Sequence, residues 1–199
     1  IKELNRHSVS NIINRGGTAI YTARCLEFKE QEGVLKGKET CEKLGIEGLV
    51  VIGGDGSFRG AADLSHAGIP CVGIPATIDN DISSTEYTIG YDTAMNTVVD
   101  MVDKLRDTCD SHNRCSVVEV MGRKCGDLAL NAGIACGATA IIVPEIPFDF
   151  EKDILAKIND AIKSGRHHYI IMVAEGVGGS QEIAKRIEAA TGIETRAAI

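Results

Sequence analysis

Apolar residues recur along this chain in two alternating rhythms. Short continuous runs at Leu49–Ile52, Cys71–Ile74, Ser116–Val120, Ala140–Val143 and Tyr169–Val173 are rich in Val and Ile and read as strands. Between them apolar positions return every three or four residues, which predicts helices. Lys36 to Leu44 reads as a helix stopped by Gly45, and 58–67 as one ended by Gly68. Met95, Val98, Val99, Val102 and Leu105 form one face of a third, which the polar stretch 107–113 is expected to break. Gly126 to Cys136, Phe150 to Ile162 with a stop at Gly165, and Ser180 to Thr191 with Gly192 as cap complete the set. Residues 1–47 are the least regular: Ser8–Ile13 could begin a short helix, and Arg15–Thr18 reads as a turn. Strand–helix alternation of this kind predicts an α/β fold whose parallel sheets are covered on both faces.

In open α/β sheets, ligands bind beyond the carboxyl ends of strands. That rule singles out four loops: Gly53–Ser57, Pro75–Asp81, Met121–Arg123 and Glu175–Gly179. The first, Gly53-Gly54-Asp55-Gly56-Ser57, runs from a strand into a helix and offers bare backbone N–H groups at a positive helix end, which suits phosphate. Asp55 cannot hold phosphate directly but can do so through Mg²⁺; an ordinary βα turn with an Asx-type bend fits the same residues. In the second loop, Thr77, Asp79 and Asp81 could give one pocket a general base, a second carboxylate and a hydroxyl, whereas the bland reading is a solvated acidic turn. Arg24, Arg114, Arg123 and Arg196 carry forks suited to phosphate, although each alone reads as a surface residue. Glu175–Ser180 resembles a second phosphate loop only weakly, and His167-His168 reads as a surface pair.

Composition narrows the classes. The 199 residues are 44% hydrophobic and 4% aromatic, so aliphatic side chains must build the core. A net charge of −7 argues against nucleic acid as a partner. The absence of an 18-residue apolar run argues against a membrane span. Seven cysteines without any Cys-x-x-Cys spacing read as reduced thiols of a cytoplasmic protein. Cys109, His112 and Cys115 offer three zinc ligands where a structural site needs four. The chain starts at Ile1 and ends in what reads as the start of a strand, the pattern expected of a fragment.

Taken together, Gly53-Gly54-Asp55-Gly56-Ser57, Pro75-Ala76-Thr77-Ile78-Asp79-Asn80-Asp81 and Met121-Gly122-Arg123, in this order and spacing, resemble the bacterial 6-phosphofructokinase family. The resemblance covers essentially the whole chain, including Ser10–Thr18 and Glu194-Thr195-Arg196-Ala197. It implies two lobes of Rossmann-like three-layer α/β/α architecture with mainly parallel sheets, truncated at both ends. Residues 1–100 would belong to an ATP-binding lobe and 101–199 to a fructose 6-phosphate and effector lobe, with the boundary about 90–114.

The implied activity is ATP-dependent phosphorylation of fructose 6-phosphate with Mg²⁺. Asp79 would be the base, supported by Asp81 and Thr77, and Asp55 would bind the metal. Gly54, Gly56 and Ser57, with Arg24 and Cys25, would approach ATP. Arg24 and Arg123 would stabilise the phosphoryl group in flight. Thr77, Ile78, Asp79, Met121, Gly122, Arg123 and Glu175 would hold the sugar phosphate, while Arg114 and Arg196 reach its 6-phosphate across a subunit interface of a homotetramer. An effector site is implied at Arg106, Gly137, Ala138, Thr139, Arg166, His167 and His168.

The chain also departs from the family pattern. Ala76 stands where many relatives have glycine, and Thr139 replaces an acidic residue often found there. An upstream glycine-rich ATP loop and a downstream His/Arg phosphate-binding segment are absent, so the 199-residue chain alone is expected not to turn over. Two further readings compete: a pyrophosphate-dependent phosphofructokinase, and a non-catalytic fragment or regulatory subunit that binds sugar phosphate. Pyrophosphate users carry a bulky acidic residue at the position of Gly56 and a lysine at that of Ala76, and here both are small and uncharged.

Overall fold

The computed structural model describes residues 3–199. After irregular chain and a 3₁₀ turn at Glu27–Lys29, the elements alternate: α1 (Gln31–Lys43), β1 (Leu49–Gly53), α2 (Asp55–His66), β2 (Cys71–Pro75), α3 (Tyr91–His112), β3 (Cys115–Val120), α4 (Asp127–Ala135), β4 (Ala140–Ile142), α5 (Ala156–Lys163), β5 (Tyr169–Ala174), α6 (Ser180–Thr191) and β6 (Thr195–Ala198). β1 pairs with β2, and the other strands form a sheet of order β4–β5–β3–β6. Every pairing is parallel, as the alternation requires.

Three strands of the larger sheet, β3, β4 and β5, are covered on both faces. Side chains of a strand point alternately to opposite faces. Ile171 and Val173 of β5 join Ile154, Ile158 and Ile187 on one side. Ile170, Met172 and Ala174 join Val102, Leu128 and Ala132 on the other. All six residues of β5 are buried, so three layers are closed here. Each fully buried aliphatic side chain contributes about 1.5–3 kcal/mol. The smaller sheet is covered on one face only: α1 and α2 bury Val34, Ala61 and Leu64, while Val50, Ile52 and Val72 are 65%, 61% and 65% exposed. The expected cover on both faces therefore holds for β3, β4 and β5, and fails for β1, β2 and the face of β6 that bears the exposed Arg196.

Helix boundaries differ from expectation for local reasons. α1 starts at Gln31 rather than Lys36 because its glycines serve packing: a Cβ at Gly33 would lie 2.1 Å from the Glu27 carbonyl oxygen, and one at Gly37 2.9 Å from the Phe28 ring. α2 starts at Asp55 rather than Phe58, which places a carboxylate in the positive first turn. α3 runs unbroken through 107–112, since Cys109 keeps the buried face continuous, and ends at Asn113 in the left-handed conformation. A π-helical turn, Phe150–Leu155, precedes α5, with the Asp149 side chain accepting the Lys152 N–H and Arg186 stacked 3.7 Å over Phe150. Residues 8–13 form hydrogen-bonded turns, not a helix.

Candidate active site

The carboxyl ends of β1, β2, β3 and β5 bring four loops together. At the first, β1 passes through Gly53 and the extended Gly54 directly into α2. The N–H groups of a helix's first turn have no intrahelical partner, and those of Gly56 and Ser57 lie on exposed residues. The turn is tight: a Cβ at Gly53 would lie 2.5 Å from Ser57 Oγ, and one at Gly54 3.1 Å from Thr77 Cβ. Gly56 has nothing within 4 Å of where its Cβ would be.

The loop after β2 folds back on itself. Thr77 Oγ1 accepts the Asp79 N–H at 3.2 Å, and the Thr77 and Pro75 carbonyls accept from Gly90 and Ile89 at 3.1 and 2.9 Å. Ile78 is half-buried beneath Gly90, where a Cβ would meet it at 2.9 Å. This folding carries Asp79 inward until it is 8% exposed. Burial, then the charge of Asp81, push its carboxyl above the ordinary aspartate range; Glu175 adds to this and Arg123 opposes it. A buried carboxylate with a raised pKa beside a cation is a candidate general base.

Arg123 joins the two sheets. Its turn follows β3, with Gly122 at φ 144° and Arg123 at φ 55°; a Cβ at Gly122 would stand 2.5 Å from the Cys125 carbonyl oxygen. Arg123 Nη1 lies 3.3 Å from Asp81 Oδ2 and 3.6 Å from Asp55 Oδ2. Asp55 Oδ1 also accepts from Arg59 Nε at 3.1 Å, and the Oδ1 of Asp81 is buried without a hydrogen-bond partner. Glu175 donates its N–H to the Val120 carbonyl at 2.8 Å, and Gly176 allows its loop within reach of the Arg123 carbonyl. Met121 is exposed at the rim. Among the described residues, no group of three or more His, Cys, Asp or Glu side chains could by itself hold a metal ion.

The remaining predicted residues lie elsewhere. Arg24 and Cys25 are exposed in irregular chain, with no ion pair or side-chain hydrogen bond to these acids among the described residues. Arg114 and Arg196 both bind Glu194, at 2.7 and 2.8 Å, and the two guanidinium groups hold its carboxyl below the usual range. They stand at the amino ends of β3 and β6, a strand length of about 20 Å from Arg123. At that end Arg106 binds Asp103 at 2.8 Å and donates to the Cys136 carbonyl beside Gly137. Ala138, Thr139 and Arg166 line a cavity of about 260 Å³ together with Lys157, Asp160 and Ser164. His167 is exposed and His168 faces Asp110 at 3.2 Å.

Two residues of the site were not singled out from sequence. Asn80 donates from Nδ2 to Asp127 Oδ2 at 2.9 Å, bridging the acidic loop and the start of α4. The signals were an asparagine between two aspartates, where a left-handed turn is tolerated, and an aspartate directly after Gly126 at a helix start.

Known proteins resemble this chain in sequence and in fold. A family model described as Phosphofructokinase matches residues 1–199. The chain is 62% identical over 197 residues to "ATP-dependent 6-phosphofructokinase 1" of Clostridium perfringens, covering 99% of this chain and 61% of that relative. It is 56% identical over 199 residues to "ATP-dependent 6-phosphofructokinase" of Bacillus pumilus, covering 100% and 62%. The chain thus spans about three-fifths of the length of the curated relatives it matches. Among solved structures, Pichia pastoris phosphofructokinase in the T-state superposes with TM-score 0.90 at 33% identity, over 99% of this chain and 25% of that one. The Saccharomyces cerevisiae phosphofructokinase gives 0.79 at 33% identity, over 92% and 28%. This chain belongs to the phosphofructokinase family.

Proposed function

We propose that the chain forms part of an ATP-dependent 6-phosphofructokinase, transferring the terminal phosphoryl group of ATP to the 1-hydroxyl of fructose 6-phosphate. The observation that carries this is the convergence of a glycine-rich helix start, a buried aspartate and an arginine on one point. Phosphoryl transfer asks mainly for positioning and for stabilisation of charge. The α2 N-terminus, with Gly54, Gly56 and Ser57, accepts nucleotide phosphate. Asp79 takes the proton of the 1-hydroxyl as the oxygen–phosphorus bond forms, leaving ADP with the electron pair of the broken bond. Arg123, exchanging its carboxylates for phosphate oxygens, stabilises the moving group, and Arg24 assists from the irregular segment. Thr77, Ile78, Met121, Gly122 and Glu175 hold the sugar.

Mg²⁺ fits the residues present. It needs only one or two carboxylates when phosphate and water complete its shell. Asp55, in the first turn of α2, and the unpartnered oxygen of Asp81 supply them. Bound there, the ion would neutralise phosphate charge.

Residues 1–100 would serve the ATP lobe and 101–199 the sugar-phosphate and effector lobe. Since Arg114 and Arg196 stand at the far end of the larger sheet, they would serve the 6-phosphate of a neighbouring subunit in a tetramer. The cavity beside Thr139 and Arg166 would take an effector, and the setting would be cytoplasmic. The open space at Gly56 favours ATP over pyrophosphate. The test is steady-state assay of the full-length enzyme with fructose 6-phosphate and either donor. Turnover with ATP that is lost in Asp79→Ser supports the reading, and its persistence in that variant overturns it.

A further inference from the structure

We propose that Asn80 and Asp127 are a positioning pair that fixes where Asp79 stands relative to Arg123. This deepens the phosphoryl-transfer reading and rests on it. Asn80 sits between Asp79 and Asp81 with φ 53°, so any rotation of its backbone swings both carboxylates. Its amide is used at both ends: Oδ1 accepts the Thr88 N–H at 3.0 Å and Nδ2 donates to Asp127 Oδ2 at 2.9 Å. That pattern admits one amide orientation only. The acceptor is anchored in turn, since the Asp127 carbonyl accepts from Tyr91 Oη at 3.2 Å and Asn131 Nδ2 at 3.0 Å. Asn131 Nδ2 also donates to Tyr91 Oη at 2.7 Å.

The pair spans the two sheets by a route separate from Arg123. The Arg123–Asp81 contact is exposed and is given up when Arg123 turns to phosphate. Asn80–Asp127 is partly buried and involves a charged acceptor, which makes it the stronger tie. With Arg123 engaged elsewhere, it keeps the base loop registered against the sugar side of the site. A displacement of about 1 Å at a reacting group can cost about 100-fold in rate.

The test is steady-state kinetics of the full-length enzyme. Asn80→Gly tolerates the left-handed backbone and deletes the amide. It should lower kcat about 10- to 100-fold, with KM for both substrates nearly unchanged. Asn80→Asp, which sets carboxylate against carboxylate, should do the same. Adding Asp127→Asn to Asn80→Asp exchanges donor and acceptor and should restore most of kcat. The exchanged pair decides the matter even if Asn80→Gly folds poorly. Undiminished kcat in Asn80→Asp, or no recovery on exchange, overturns the proposal. Asp79→Ser separates it from the reading beneath: turnover lost there but kept in Asn80→Asp removes the positioning pair alone, while turnover kept in Asp79→Ser removes the reading itself.

Discussion

Arg123 Nη1 lies 3.3 Å from Asp81 Oδ2 although the two residues follow strands of different sheets. The same nitrogen lies 3.6 Å from Asp55 Oδ2, so one guanidinium gathers the phosphate turn and the acidic loop. Exposed ion pairs of this kind contribute little to stability, about 0–1 kcal/mol. Their value under the proposed transfer would be electrostatic: they keep a cation at the point where phosphoryl charge would develop.

Asp79→Ser should lower kcat of the full-length enzyme by about 10²–10⁴, the usual contribution of a general base. Fructose 6-phosphate should still bind, because Arg123 and the Met121–Arg123 turn are untouched. Turnover together with equilibrium binding of the sugar phosphate checks both halves.

The acid limb of the pH–kcat profile should lie above the ordinary aspartate range, because Asp79 as the proposed base would act only when ionised and its pKa is raised by burial and by Asp81. Asp81→Asn removes a like charge and should move that limb to lower pH. For stability the sign is opposite. A raised carboxyl favours folding below the unfolded pKa, and that contribution is lost as pH rises through the folded value. Thermal melts across the acid range should therefore show Asp79→Ser closing on the parent as pH rises.

Gly56→Asp should leave the melting temperature nearly unchanged, since nothing lies within 4 Å of the added Cβ. It should cut kcat/KM for ATP sharply, by placing a carboxylate among the nucleotide's phosphates. Paired assays with ATP and pyrophosphate on both proteins check this.

Arg114→Gln and Arg196→Gln should each raise the KM for fructose 6-phosphate about 10- to 100-fold while leaving kcat almost intact. The range follows from a charge-assisted hydrogen bond of about 1.5–3 kcal/mol. An unchanged KM would remove these residues from the 6-phosphate.

Much of this architecture was legible because parallel sheets write plain patterns. The fully buried β5 is a continuous apolar run, and α6 has both ends marked, by Ser180 and by Gly192 at φ 71°. Gly33 and Gly37 hid the start of α1, since a glycine chosen for close packing reads like one chosen for a turn. The polar residues after Asp107 hid the end of α3, because only Cys109 reveals the buried face there. In the site, Gly53–Ser57, Asp79 and Arg123 lie at strand ends, where topology predicts ligands. Asn80 and Asp127 each carry a local signal, but their pairing across 47 residues leaves none.

The half-covered β1–β2 sheet has a dynamic consequence. The turns bearing Asp55 and Asp79 hang from these two strands, whose outer apolar face at Val50, Ile52 and Val72 meets solvent. Protection against amide hydrogen exchange follows local burial and contact density. In the 199-residue chain, amides of β1 and β2 should exchange well before those of β5, as mass spectrometry of exchanged peptides would show. The segment that would present phosphate ligands and base under the proposed function thus opens before the larger sheet does, and cover over Val50 and Ile52 would set how long that arrangement persists between openings.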